Sequence, residues 1–179
     1  MKANRQLGFL RRNIPIRNQN LKEIAYKGIV RPILEYCAPV WDPHHTKYID
    51  QLEMVQRRAA RFVLGRPHRP MTEGISSVTN MLQQLKWESL EHRRKASCVT
   101  MFYRVQYSLV AVSMPAIVVR ADRSRPGHPH QYLVPFCSTK AYMESFFPKA
   151  IRLWNSLPAD IACQSSLSLF QTALSSHSF

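Results

Sequence analysis

Carboxylates, histidine–cysteine sets and arginines are the side chains here that could do chemistry, and their spacing separates them. The aspartates stand at 42, 50, 122 and 160, no two adjacent, and the glutamates do not complete a cluster. Two-metal phosphoryl transfer needs grouped carboxylates that hold both cations, so this sequence carries no such centre. His44, His45, His128 and His130 with four cysteines could supply zinc ligands for a metal-dependent hydrolase. Zinc sites, however, repeat pairs two to four residues apart, and only His128 and His130 come close, with Pro129 stiffening the loop between them. The cysteines at 37, 98, 137 and 163 form no Cys-X-X-Cys pair, which fits small apolar residues in a reducing compartment. Glycines at 8, 28, 65, 74 and 127 never gather into a phosphate-binding loop. No catalytic residue, metal or cofactor is expected.

Arginine is the exception. The 179 residues hold 25 Lys or Arg against 11 Asp or Glu, a net charge of +14. Residues 1–31 alone carry eight basic residues against Glu23. Such an excess repels itself in a compact chain unless a polyanion is near, so nucleic acid is the expected partner. Arg57, Arg58 and Arg61 fall on one arc of a helical pattern, and Arg11, Arg12, Arg93, Arg94 and Lys95 add to them as candidate phosphate contacts. Contacts of this kind are salt-sensitive and largely blind to sequence. The competing account of any charge run is a solvated helix back. Trp41, Trp87 and Trp154 could stack bases, but each sits among apolar neighbours and is expected in a core.

The elements that must position these groups read as helices. Lys2 to Arg12 places Leu7 and Leu10 on one side. A second helix is expected to start at Asn20, capped by it with Glu23 completing a capping box. Its inward face would be Leu21, Ile24, Ala25, Gly28, Ile29, Pro32 and Tyr36, with Pro32 bending it and Ile33, Leu34, Tyr36 and Cys37 buried all round. Asp42 to His45 is a turn. The third helix, Thr46 to Leu64, sets Tyr48, Leu52, Val55, Ala59, Phe62 and Val63 opposite its arginines, and Gly65 caps it before Pro67 stops it. Glu53 can pair with Arg57. A short helix near Val78–Leu85 and a longer one near Glu88–Gln106 follow. Arg94 lies near the inward face of the latter (Leu90, Ser97, Cys98, Met101, Val105), which points to a buried ion pair or a contact surface. IVVR and QYLVP are short extended pieces flanking the loop Arg120–His130, and Ala141–Leu157 and Ser166–Ser175 are helical again.

The longest apolar run, Tyr107 to Val119, is interrupted by Ser108, Ser113 and Pro115 and is too short for the roughly 18 apolar residues of a membrane span. No secretory leader is read, although the acid-free start MKANRQLGFLRRNIPIRNQN also fits a mitochondrial transit segment. An intracellular setting, nuclear or cytoplasmic, is expected, with no membrane contact.

Two segments, YKGIVRPILEYCAPVWDP (Tyr26–Pro43) and SFFPKAIRLWNSLP (Ser145–Pro158), resemble the region that follows the polymerase core in reverse transcriptases of non-LTR, jockey-like retrotransposons. LGFLRRN, IDQLEMVQRRAARFVLG, SVTNMLQQLKWESLEHRR and YLVP fit the same family in the same order. The resemblance implies a fragment whose catalytic part lies upstream of Met1. It implies a helical thumb that holds a template–primer duplex, with the Arg57–Arg58–Arg61 helix facing the duplex and Tyr26–Trp41 as the core behind it. The Asp pair of a Tyr-X-Asp-Asp turn is missing, as are the family's endonuclease residues. Where such proteins carry an Arg-Thr-Asp-like triplet, this chain has CSTKAY (Cys137–Tyr142).

The sequence is therefore expected to give a mainly α fold: a helical thumb-like region over 1–110, a basic Pro-rich crossing over 111–136 and a C-terminal helical segment over 137–179. Its expected function is non-catalytic binding of RNA or an RNA–DNA duplex as a piece of an RNA-directed DNA polymerase. The alternative is a helical interaction module whose apolar face needs a partner, either the upstream palm or a second copy.

Overall fold

The computed structural model describes residues 2–14, 18–66, 75–121, 127–177 and 179, with the backbone alone at 75–78. The fold is mainly α-helical. Among the described residues there is no strand, only an isolated antiparallel bridge between Arg120 and Tyr132, and no helix is long and apolar enough to cross a membrane. Contacts divide the chain into two compact units, Met1–Ala38 with Pro43–Arg93, and Pro39–Asp42 with Arg94–Phe179. The division falls inside the Leu90–Gln106 helix and not near 110 and 136.

In the first unit, α1 (Lys2–Asn13) buries Ala3, Leu7 and Leu10, the residues at helical spacing. α2 (Gln19–Ala25) is capped by Asn18, whose side chain accepts from the Leu21 amide at 2.9 Å, so the cap lies two residues before the expected Asn20. Glu23 closes no capping box. It takes the Lys27 ammonium at 2.6 Å and the Trp87 indole N–H at 3.0 Å, and these two donors hold its carboxyl below the usual range.

A π-helical turn, Tyr26–Val30, follows, and α3 (Arg31–Glu35) resumes with Pro32 in its first turn. The Arg31 amide reaches back five residues to the Tyr26 carbonyl. The interruption expected at Pro32 thus takes the form of one extra residue in the turn before it. That insertion keeps every fourth residue inward: Lys22, Tyr26, Val30, Leu34 and Ala38 are all buried. The expected inward face is consequently corrected, since Leu21, Ile24, Ile29 and Tyr36 are exposed, as is Cys37.

α4 (Ala38–Trp41) is short, and α5 (Thr46–Leu64) matches its expected bounds. Leu52, Val55, Ala59 and Val63 are buried along α5, Phe62 is partly so, and Tyr48 is half exposed. Gly65 sits in the left-handed conformation at φ 66°, with its own amide bonded to Phe62 and the next amide to Arg61. A side chain there would be strained, so glycine ends the helix cleanly. The expected stop at Pro67 lies outside the described residues. α6 (Ile75–Gln84) and α7 (Leu90–Gln106) end in the same two-bond cap, but with Lys86 (φ 53°) and Ser108 (φ 55°) in glycine's place. α7 starts on borrowed acceptors. Gln56 takes the Leu90 amide at 3.1 Å, Glu53 the Glu91 amide at 2.8 Å and Ser89 the His92 amide at 3.1 Å. Three of the four N-terminal amide donors of α7 are satisfied this way.

The second unit packs Cys98, Val99, Phe102 and Tyr103 of α7 against α9 (Phe146–Asn155), α10 (Ala159–Ala162) and α11 (Leu167–Ser175), around Trp154 and Phe170. α8 (Lys140–Met143) precedes them, and Thr139 of the divergent CSTKAY segment caps it by accepting from the Tyr142 amide at 3.2 Å. The expected extended pieces do pair: the Leu133 amide bonds the Val119 carbonyl and the Ala121 amide the Gln131 carbonyl. Residues 122–126 of the loop between them lie outside the described residues. Gly127 lies at φ 129°, where a side chain is strained, and a Cβ there would displace the Gln131 amide 2.1 Å away.

Asp42 anchors an ion network within the second unit. It accepts from Arg94 Nε at 2.7 Å and Lys149 Nζ at 2.5 Å, while Glu144 takes Arg152 at 3.1 Å. Arg94 is 1% exposed and Arg152 34%, so the network runs from a buried end at Arg94 toward the surface.

Candidate nucleic-acid interface

Three of the eight predicted contact residues converge. Arg58 and Arg61 on α5 and Arg11 at the end of α1 line one small recess, floored by Phe62 and closed by Arg66. Among the described residues the lining carries four guanidinium groups and no carboxylate. Two of the four are oriented by neutral oxygens: Arg58 donates to Asn4 Oδ1 at 3.4 Å and Arg66 to Gln84 Oε1 at 3.1 Å. Neutral acceptors fix a guanidinium without cancelling its charge. Behind the floor, the buried Lys22 ammonium lies 5.1 Å from the Phe62 ring centroid, adding a further cation to the same region. The first unit as a whole has sixteen Lys or Arg against seven Asp or Glu.

The geometry follows from the local sequence. Positions 58 and 61 share a face of α5 one turn apart, and 62 lies beside them turned toward the core. α1 packs its Leu7 and Leu10 side into the same core as α5, which brings Arg11 near that face. Arg66 was not among the residues expected from sequence. The Gly65 cap folds it back, with its amide on the Arg61 carbonyl at 3.0 Å. A basic residue directly after a helix-ending glycine is the signal that finds it.

The other five separate. Arg57 is half-buried on α5 and lies outside the recess lining. Arg12 is exposed and lies back along α1, 3.6 Å from where a Gly8 Cβ would stand. Arg93 is held in a fork by Glu35, with Nη2 at 3.1 Å, and by Glu88 at 3.4 Å; the Glu35 bond raises its affinity for the proton. Arg94 is the clear correction. It is inside the second unit on Asp42, so it presents no donor to an outside phosphate, and of the two readings of its inward position the buried ion pair is the one found. Lys95 is half-buried in that second unit.

Trp154, Trp87 and His128 are used internally, whereas Trp41, expected in a core, and His45 are exposed. Trp154 is fully buried, Trp87 stacks on Tyr26 at 4.6 Å, and Trp41 is 38% exposed. His128 is buried between the Trp154 carbonyl, 3.0 Å from its Nε2, and the His130 amide, 3.2 Å from its Nδ1. These contacts require the neutral ring with its proton on Nε2, and burial pushes its pKa down. Among the described residues no group of three or more His, Cys, Asp or Glu is placed to hold a metal ion. All four cysteines are free thiols.

No protein-family model, curated protein or solved structure matches this chain.

Proposed function

We propose that the chain binds the phosphate backbone of RNA or an RNA–DNA duplex without catalysing a reaction on it, as a thumb-like piece of an RNA-directed DNA polymerase. The observation that carries this reading is the recess of Arg11, Arg58, Arg61 and Arg66, with no carboxylate in its lining among the described residues. Neutral hydrogen-bond partners hold Arg58 and Arg66 out as charged forks, the form that recognises phosphate oxygens in pairs. The family part of the proposal draws on the ordered segments from LGFLRRN to SFFPKAIRLWNSLP. Fluorescence anisotropy with a labelled RNA–DNA duplex at low ionic strength tests it. Arg58→Ala with Arg61→Ala should weaken binding, whereas unaltered binding, or none by the parent protein, refutes it.

A second reading is favoured by a specific surface. Leu21, Ile24 and Ile29 are 43, 60 and 44% exposed on one face, and Gly28 among them has open space where a Cβ would stand. An apolar row of this kind suits a protein partner, such as a polymerase palm or a second copy. Light scattering of the parent and of Ile24→Lys distinguishes this: self-association lost in the variant favours it, and a monomer in both counts against a second copy.

A further inference from the structure

A second recess in the first unit, of about 150 Å³, stands apart from the arginine recess. Its walls include Tyr26, Trp87, Lys27, Arg31, Lys86 and Arg93. Several features coincide there. The Tyr26 side chain is 1% exposed, and its hydroxyl has no hydrogen-bond partner among the described residues. A buried hydroxyl left so costs about 1–3 kcal/mol, so the group points to a ligand or water that completes it. Tyr26 also opens the π-helical turn, an irregularity that recurs at functional sites. Lys86 is held in the left-handed conformation although it is not glycine, and no carboxylate pairs with it among the described residues.

We infer that this recess binds a single phosphate group, with the Tyr26 hydroxyl and the Lys86 ammonium as direct donors and Arg31 and Arg93 as flanking guanidinium groups. Size decides the class. Drug-sized ligands occupy roughly 300–1,000 Å³, and a liquid water takes about 30 Å³, so the space suits one tetrahedral oxyanion. The charges facing it are mixed but favourable. Glu88 is in the lining, Glu23 engages Lys27, and Glu35 engages Arg31 and Arg93, leaving Lys86 as the cation with no such partner. Burial raises the Tyr26 pKa, so its hydroxyl stays a donor at neutral pH. Gln56 is committed elsewhere, to Glu88 O and the Leu90 amide, and serves as wall. This inference is independent of the nucleic-acid reading.

The test compares thermal unfolding of the full chain in inorganic phosphate with that in chloride at equal ionic strength. Phosphate should raise the unfolding temperature. Tyr26→Phe, which keeps the ring on Trp87, should weaken the phosphate effect roughly tenfold in apparent affinity. Lys86→Gly, which relieves the left-handed backbone, should abolish the effect while leaving the phosphate-free protein at least as stable. The Arg58→Ala, Arg61→Ala protein should keep the full effect. Absence of a phosphate effect in the parent chain overturns the inference, as does an effect that survives Tyr26→Phe and Lys86→Gly undiminished. A 5′-phosphorylated dinucleotide set against its unphosphorylated form identifies the source. Preference for the phosphorylated form that Lys86→Gly removes marks a strand end, and equal binding of the two beside a retained inorganic phosphate effect marks the free ion. Both of those outcomes support the site.

Discussion

Replacing Asp42 with alanine should be among the most damaging single changes available in this protein. The carboxylate is the acceptor for Arg94 Nε at 2.7 Å and Lys149 Nζ at 2.5 Å, and its own side chain is only 10% exposed. Arg94 is 1% exposed, so it cannot swing into water when Asp42 is lost. Breaking a buried ion pair by removing one partner typically costs about 3–5 kcal/mol. Whole-protein stabilities are about 5–15 kcal/mol, so the loss is about a fifth or more of a typical total. In a chain of this size each kcal/mol moves the unfolding temperature by about 2–4 °C, which gives a drop of roughly 6–20 °C. Denaturant and thermal unfolding followed by near-ultraviolet circular dichroism would measure it. Arg94→Met combined with Asp42→Leu removes both charges and should recover most of the loss. A change below about 1 kcal/mol for Asp42→Ala would refute the claim that this network holds the second unit together.

Other outcomes follow from the same coordinates. His128 is neutral and its pKa is lowered by burial, so the unfolded chain binds its proton more readily than the folded one. Stability from this group is therefore full above the unfolded value near 6.5 and declines as pH falls below it. Unfolding midpoints of the parent protein between pH 7 and 5 should fall more than those of His128→Gln. Burial pushes the Cys98 thiol up to about 12, whereas Cys37 and Cys163 are exposed. Mass spectrometry after iodoacetamide treatment of native protein should find Cys37 and Cys163 modified and Cys98 modified only after denaturation. Ser108 occupies a glycine-type cap, so Ser108→Gly should stabilise by up to about 1 kcal/mol, while Gly65→Ala should destabilise by about 1–2 kcal/mol in urea titrations.

What the sequence showed and what it concealed divide along physical lines. α5 was legible end to end because one long amphipathic stripe, a turn before it and a glycine after it all agree. Leu7 and Leu10 were legible for the same reason. The Tyr26–Val30 region misled, because two apolar stripes run along it and a 3.6-residue period selects the wrong one. Only the extra residue of the π turn puts Tyr26, Val30 and Leu34 inside, and a periodicity argument has no term for it. Arg94 was ambiguous from its own helix, since its partner Asp42 lies 52 residues away and only tertiary packing joins them. Arg11, Arg58 and Arg61 could each be seen as basic, but their convergence depends on how α1 docks on α5.

The salt dependence of duplex binding tests the central claim most directly. Four phosphate contacts from Arg11, Arg58, Arg61 and Arg66 predict a log–log slope near −3.6, taking about −0.9 per contact, hence a loss of about 150-fold between 50 and 200 mM salt. With Arg58 and Arg61 both changed to alanine, the slope should fall to about −1.8 and the loss to about twelvefold. The same slope in parent and variant would place the binding, if any, on another surface and contradict the account.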